Sequence, residues 1–244
     1  MDDDATLIEQ IAYYRARAGE YDDFWLARGA YSLPADLRAQ WFEDAAEAEA
    51  AVSDWAPRGN VLDLACGTGL WTQFLVRTAL SVTAVDSSPE VLELNRRRLS
   101  ALGSVASVAY AVADIFAWDP GRRDFDAVLL GYWHSHVPDE RLDQFWAKID
   151  GLLRPGGTVM LIDSCPWPPH TAAEPVARAE RRTLSDGSSY HVVKRYWAPG
   201  VLSTYLASQG WHAEARTTQH GMILLATVTR AAARMPSGGD GRRP

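Results

Sequence analysis

The chain has 244 residues, 47% hydrophobic and 23% charged, which allows a sizeable core and excludes a mainly disordered protein. Lys and Arg number 24 against 31 Asp and Glu, a formal net charge of −7, which argues against a general nucleic-acid binder because phosphate contacts need clustered cations. Cys66 and Cys165 form no CxxC pair, the N-terminus is acidic, and no apolar run reaches the ~20 residues that span a bilayer. These features predict a soluble protein in a reducing, cytoplasmic setting, with no structural zinc, no nucleic-acid partner and no membrane partner. Ten tryptophans are many for this length and fit either core filling or an aromatic ligand pocket.

Residues 4–56 read as helical, with Leu7, Ile11, Tyr14 and Ala18 at helical spacing, an Ala- and Glu-rich run over 35–52, and a loop from Gly29 to Pro34 between them. The pattern then changes to alternating strands and helices. Val61–Leu64 and Val82–Val85 are short apolar runs. Ser87, Ser88 and Pro89 start a helix that carries Leu92, Leu99 and Leu102 and stops near Gly103. Strands follow at 105–112 and 125–130. Leu142, Phe145, Trp146, Ile149, Leu152 and Leu153 form one helical stripe, which Arg154-Pro155-Gly156-Gly157 ends before a strand at 158–162. Residues 164–197 form an insertion with a turn at 182–187 and a strand at 190–195. A helix at 200–209 precedes two segments, 211–216 and 222–228, that read as a pair of edge strands. Residues 231–244 read as a disordered tail. Alternating strands and helices predict an α/β fold around a parallel sheet.

The chemistry concentrates where the first strand meets the next helix, at Asp63-Leu64-Ala65-Cys66-Gly67-Thr68-Gly69. Two glycines let backbone approach a ligand closely. A dinucleotide fingerprint would carry a third glycine where Thr72 stands, and a P-loop would need Gly-Lys-Ser/Thr. A carboxylate at Asp63 repels phosphate and favours a cationic ligand. Asp86, ending the second strand, can accept hydrogen bonds from ribose hydroxyls. Asp114, after the third strand, can accept from an adenine amino group, with Phe116 against the ring. An adenosine ligand without phosphates and with a positive centre fits this set, and S-adenosylmethionine is such a ligand.

Val61–Gly69 resembles the first motif of class I S-adenosylmethionine-dependent methyltransferases, and the resemblance continues in order through Asp86, Asp114, Asp126 and Leu153–Gly157, over about residues 58–165. It implies a Rossmann-like, seven-stranded, mostly parallel sheet with an antiparallel last strand, spanning residues 58–230 behind an N-terminal helical lid at 1–57. Carried over residue by residue, Gly67 and Gly69 would line the methionine portion, with Asp63 holding its amino end through the loop. Asp86 would bind ribose; Asp114 and Ile115 would bind adenine with Phe116; Ala65, Ser87 and Gly131 complete the set. The segments 13–25 and 131–138 are similar to a small-molecule branch, frequent in secondary metabolism, in which some members O-methylate phosphonates or other acids. There the N-terminal helices cover the cofactor. Tyr14, Arg17 and Tyr21 are the lid candidates, with Arg17 meeting the methionine carboxylate.

Ligands in open α/β sheets bind beyond the carboxyl ends of the strands, which selects Gly131–Pro138 and the start of the insertion for the acceptor. His136 is the catalytic candidate. Trp25, Tyr31, Trp133, His134, Arg182, Lys194 and Arg195 are the acceptor-binding candidates, the three cations as the grip on an anion. The expected function is methylation of a small molecule, on the oxygen of an acid or hydroxyl. The rival readings are an N-methyltransferase of an amine, which needs an acidic or aromatic pocket, and a cofactor-binding regulator without turnover.

Overall fold

The computed structural model describes residues 3–103, 106–166 and 174–231. Helix α1 (Asp3–Ala16) runs into a 3-10 segment, Arg17–Asp23, and helix α2 (Ala35–Trp55) follows. Strands β1 (Asn60–Leu64), β2 (Ser81–Asp86), β3 (Ser107–Val112), β4 (Phe125–Gly131) and β5 (Leu153–Ser164) alternate with α3 (Thr72–Leu75), α4 (Pro89–Leu102) and α5 (Leu142–Leu152). A hairpin of β6 (Glu174–Thr183) and β7 (Ser189–Tyr196) comes next, then α6 (Pro199–Ser208), β8 (Trp211–Thr217) and β9 (Ile223–Arg230).

Seven strands form one sheet in the order β3-β2-β1-β4-β5-β9-β8, with β9 antiparallel to both β5 and β8. The final two strands are therefore not both edges. β9 inserts between β5 and β8, and its run Ile223–Ala226 is buried accordingly. The two faces of the sheet follow the alternation of side chains along each strand. Leu62, Leu64, Val128, Leu130, Val159 and Leu161 pack against Phe145, Trp146 and Ile149 of α5. Val61, Leu129, Met160 and Ile162 pack on the other face against Trp41, Ala45, Ala48 and Val52 of α2. Thus α2 covers the sheet, while α1 and the Arg17–Asp23 segment lie over its carboxyl edge.

The predicted caps of α4 are present: Ser88 Oγ accepts from the Val91 amide, Pro89 opens the helix, and Gly103 closes it with φ +63°. Arg154–Gly157 behaves differently from its reading as a stop, because it already belongs to β5. Phe125 pairs with Leu153 and a register shift before Ala127 absorbs the extra residues. The insertion is a two-stranded antiparallel sheet rather than a loop with one strand. The charged run Arg178–Arg182 hides the periodicity of β6. Helix α1 lies along β7: Glu9 Oε1 accepts from the His191 amide at 2.7 Å, and Gln10 Oε1 from the Val193 amide at 2.9 Å. Among the described residues no helix is long and apolar enough to cross a membrane. The tail beyond residue 231 lies outside the described residues.

Candidate active site

The strand order reverses at β1: β2 and β3 extend to one side, β4 and β5 to the other. A crevice opens beyond the carboxyl ends of strands flanking such a point. Here the backbone turns sharply at both ends, with Ala65 at φ +60° and Tyr132 at φ +55°. Left-handed conformations at non-glycine residues cost on the order of 1–3 kcal/mol and concentrate at functional sites. Both residues line a central cavity of about 110 Å³. A neighbouring cavity of about 300 Å³ is bounded by Ser87, Asp114, Ile115 and Phe116 below and by Leu7, Ile11 and Tyr14 of α1 above. Between them lies a small gap reached by Asp86, Tyr14, Tyr21, Ala65 and Gly131.

The loop after β1 is fixed by buried polar contacts. Asp86 accepts from the Gly67 amide at 3.0 Å through Oδ2 and from the Ser88 amide at 2.9 Å through Oδ1. Each carboxylate oxygen keeps a further lone pair. Burial pushes the Asp86 carboxyl up to about 6, against the opposing pull of these amides. Asp63 lies on the Val61 face of β1, accepts from Thr72 Oγ1 at 2.6 Å, and is raised by burial to about 7. It borders none of the three cavities, so its contact is with the loop's own scaffold. Gly67 (φ +52°) and Gly69 (φ +84°) serve close packing as well: a Cβ at Gly67 would stand 2.6 Å from Tyr21 Oη, and one at Gly69 2.8 Å from the Asn95 amide.

Asn95 was missed by sequence reading. Its Nδ2 reaches the Gly67 carbonyl at 3.3 Å and Thr72 Oγ1 at 3.0 Å, while Oδ1 accepts from Tyr110. The available signal was an amide inside the otherwise apolar stripe of α4, with Val91, Leu92 and Leu99. Trp71, Tyr132 and Ser164, also overlooked, line the central cavity.

Tyr14, Arg17, Tyr21, Trp25, Tyr31, His136, Arg182 and Lys194 do meet around the central cavity. The Arg17 guanidinium lies 4.9 Å from the Tyr31 ring centroid and 5.4 Å from that of Tyr21. Its buried Nε has no hydrogen-bond partner among the described residues. Lys194, only 4% exposed, donates to Ser135 Oγ at 2.8 Å and to Ser164 Oγ at 3.3 Å, and lies 3.5 Å from Asp163. Desolvation lowers its pKa and Asp163 opposes the shift. Arg182 pairs with Glu180 at 2.9 Å, which leaves most of its five donors for other partners.

The hydrogen bonds of His136 define its protonation. Nδ1 lies 2.5 Å from the Val193 carbonyl, which can only accept, so Nδ1 carries the proton. Nε2 then accepts from the Tyr14 hydroxyl at 2.9 Å. Burial, with Lys194 nearby, holds the imidazole well below its usual pKa, hence neutral.

Three expectations fail on placement. Trp133 lies on the Phe116 side, at 6.0 Å between ring centroids, and lines the Asp114 cavity rather than the acceptor region. His134 is wholly buried: its Nε2 accepts from Trp146 Nε1 at 3.0 Å, its ring stacks on Trp197, and burial pushes its pKa down to about 3. Neighbouring residues of a strand face opposite ways, so Arg195 points away from Lys194, over Trp197 at 4.6 Å and against Asp139.

The surroundings fit an adenosyl sulfonium ligand. A buried carboxylate with spare lone pairs stands at the end of β2, a cavity with an acid at its rim lies beside it, and aromatic rings with an unpaired guanidinium nitrogen close the other end. This is the nucleoside-binding crevice of a Rossmann-like α/β protein. A model of the methyltransferase domain matches residues 61–157. Ubiquinone biosynthesis O-methyltransferase of Xanthomonas campestris pv. campestris is 35% identical over 155 residues, 62% of this chain, and the chain spans 61% of that relative's length. The Xylella fastidiosa (strain 9a5c) relative of the same name is 33% identical over 163 residues, with 64% and 61% covered. Two solved structures, described as a DhpI-SAH complex and a DhpI-SAM-HEP complex, superpose with TM-scores of 0.74 and 0.73. Both are 33% identical, covering 93% and 92% of this chain and 98% and 97% of theirs. The chain belongs to the class I S-adenosylmethionine-dependent methyltransferases.

The raised Asp86 carboxyl gives a signed expectation. Only its ionised form presents four acceptor lone pairs, so affinity for S-adenosylhomocysteine should fall as the pH drops through about 6, where burial places this group, and be nearly full from about one pH unit above this value. Calorimetry across pH 5–8 checks this. Asp86→Asn should bind more weakly throughout and lose the acid dependence, and an unchanged profile in that variant would remove Asp86 from the ligand site.

Proposed function

We propose that the chain transfers the methyl group of S-adenosylmethionine to an oxygen of a small anionic acceptor held by Arg182 and Lys194. The observation that carries this reading is the pair of cations, one of them almost fully buried, lining the same cavity as Ala65 and Gly131 at the strand ends. The name O-methyltransferase borne by the relatives supports oxygen as the accepting atom. Secondary metabolism is the setting we favour, on the similarity of the 13–25 and 131–138 segments to that branch. An amine acceptor would meet the two cations, while the nearby acids Asp22, Asp163 and Glu180 already have partners of their own, which weighs against N-methylation.

When bound, S-adenosylmethionine supplies an electrophilic methyl on a sulfonium. In this reading Asp86 holds the ribose, Asp114, Ile115 and Phe116 the adenine, and Arg17 the methionine carboxylate. Tyr14 directs its hydroxyl proton at His136, which turns its oxygen lone pairs toward the cavity. Arg182 and Lys194 align the acceptor, and α1 with Tyr21 excludes water. An ionised acid reacts in line without losing a proton, so alignment is the main requirement. A hydroxyl acceptor would pass its proton to Tyr14 as Tyr14 gives its own to His136, yet His136 is a weak base here.

The test is turnover of simple carboxylic and phosphonic acids, read by mass spectrometry as methyl esters together with S-adenosylhomocysteine. His136→Gln should slow this reaction less than about tenfold, against the ~10²–10⁴-fold expected where a general base is removed. Methylation of amines or alcohols with no acid methylated would overturn the reading.

A further inference from the structure

The central cavity does not end at its cations. A second space of about 340 Å³ adjoins it, and Phe24, Tyr31, Ser164 and Arg182 line both. Beyond that shared rim its inner walls are Trp41, Cys165 and Met222, all nearly fully buried, and its mouth is lined by Leu33, Tyr196 and the exposed Ala30 and Ser32. This space shares no lining residue with the adenine cavity. It is therefore not a part of the cofactor crevice. Charge and apolar surface are arranged in sequence: Lys194 lines the central cavity, Arg182 stands at the junction, and the side chains past it are mainly aromatic, aliphatic and sulfur-bearing. A small acid alone would leave the annexe filled only by water against apolar walls, an unfavourable arrangement that an apolar substituent relieves.

We propose that the acceptor is an amphipathic acid whose anionic head sits at Lys194 and Arg182 and whose apolar substituent, several carbons long, passes alongside the Phe24–Tyr31 ring pair, past Ser164, into the annexe walled by Trp41, Cys165 and Met222. The inference rests on the acid-acceptor reading above and adds the substrate class. The order of the groups follows from the geometry. The head must face the methyl donor at the strand ends, so the tail points away from it toward α2 and the start of β9. Burial of each methylene improves affinity by up to about fourfold, so tail length is a direct readout of the annexe.

The experiment uses the full chain with saturating S-adenosylhomocysteine and straight-chain alkanoic and alkylphosphonic acids of two to eight carbons, with affinities measured by calorimetry. Affinity should rise about two- to fourfold per methylene up to the length of the annexe and then level off. Met222→Trp should fill the space and abolish the rise, with the two-carbon acid bound within about twofold of the parent chain. Ala30→Trp, on the exposed rim of the same space, serves the same purpose if Met222→Trp fails to fold. Affinity independent of tail length, or a rise that survives in both variants, overturns the annexe, while methylation of short acids would leave the acid reading standing. A rise lost in the variants with no acid methylated keeps the annexe and overturns the acid acceptor.

Discussion

Gly67→Ala should weaken S-adenosylhomocysteine binding by at least about 30-fold while the sheet remains folded. Two costs combine. The residue sits at φ +52°, where a side chain costs roughly 1–2 kcal/mol. The new Cβ would also stand 2.6–2.8 Å from the Tyr21 hydroxyl and ring, an overpacking that adds about 1–3 kcal/mol. Tyr21 lies against the small gap beside Asp86, so it cannot retreat without altering the ligand site. The Gly67 amide is meanwhile bonded to Asp86, and any shift of the loop disturbs that carboxylate too. Calorimetry with circular dichroism as a fold control measures the effect. Affinity within threefold of the parent would mean that the loop and Tyr21 yield freely, and the close approach would then have no binding role.

Arg182→Lys is expected to raise KM for the acid acceptor about 10- to 100-fold with kcat changed only a few-fold. A guanidinium can give an oxyanion two parallel hydrogen bonds, and an ammonium gives a point charge, a difference of roughly 1.5–3 kcal/mol for bonds to a charged group. The charge is kept, so a loss isolates geometry. Steady-state kinetics with a methylated acid separates the two constants. An unaltered KM in Arg182→Lys would leave Lys194 as the sole grip on the anion. The matching change at Arg195 should have no effect on KM, because its side chain lies across β7 with Trp197.

The legible parts of the sequence were those governed by local rules. The apolar runs of the parallel strands and the Ser88-Pro89 start of α4 depend on neighbours within a few residues, and Asp63, Gly67, Asp86 and Asp114 each stand out by their place at the end of such a run. The obscured parts depend on distant ones. Whether Lys194 or Arg195 reaches the cavity is set by which face of β7 meets the sheet, and the alternation alone shows only that they cannot both do so. His134 and His136 stand two residues apart, but a 3-10 turn sends one ring to Trp146 and the other to Tyr14. β6 escaped notice because its charged residues carry no alternating apolar signal. β9 read as an edge because chain order does not reveal that it enters the sheet between β5 and β8.

The grip of Glu9 and Gln10 on the amides of His191 and Val193 has a consequence for solubility and assembly. These side chains stand where another strand would otherwise pair, so α1 conceals an open hydrogen-bonding row that is a template for a second chain. A displacement of α1 would uncover that row together with Val192 and Val193, which pack against Tyr13 and Leu7 of α1. A chain so opened would be more prone to self-association, and a ligand that held α1 in place would then act as a solubiliser of the fold.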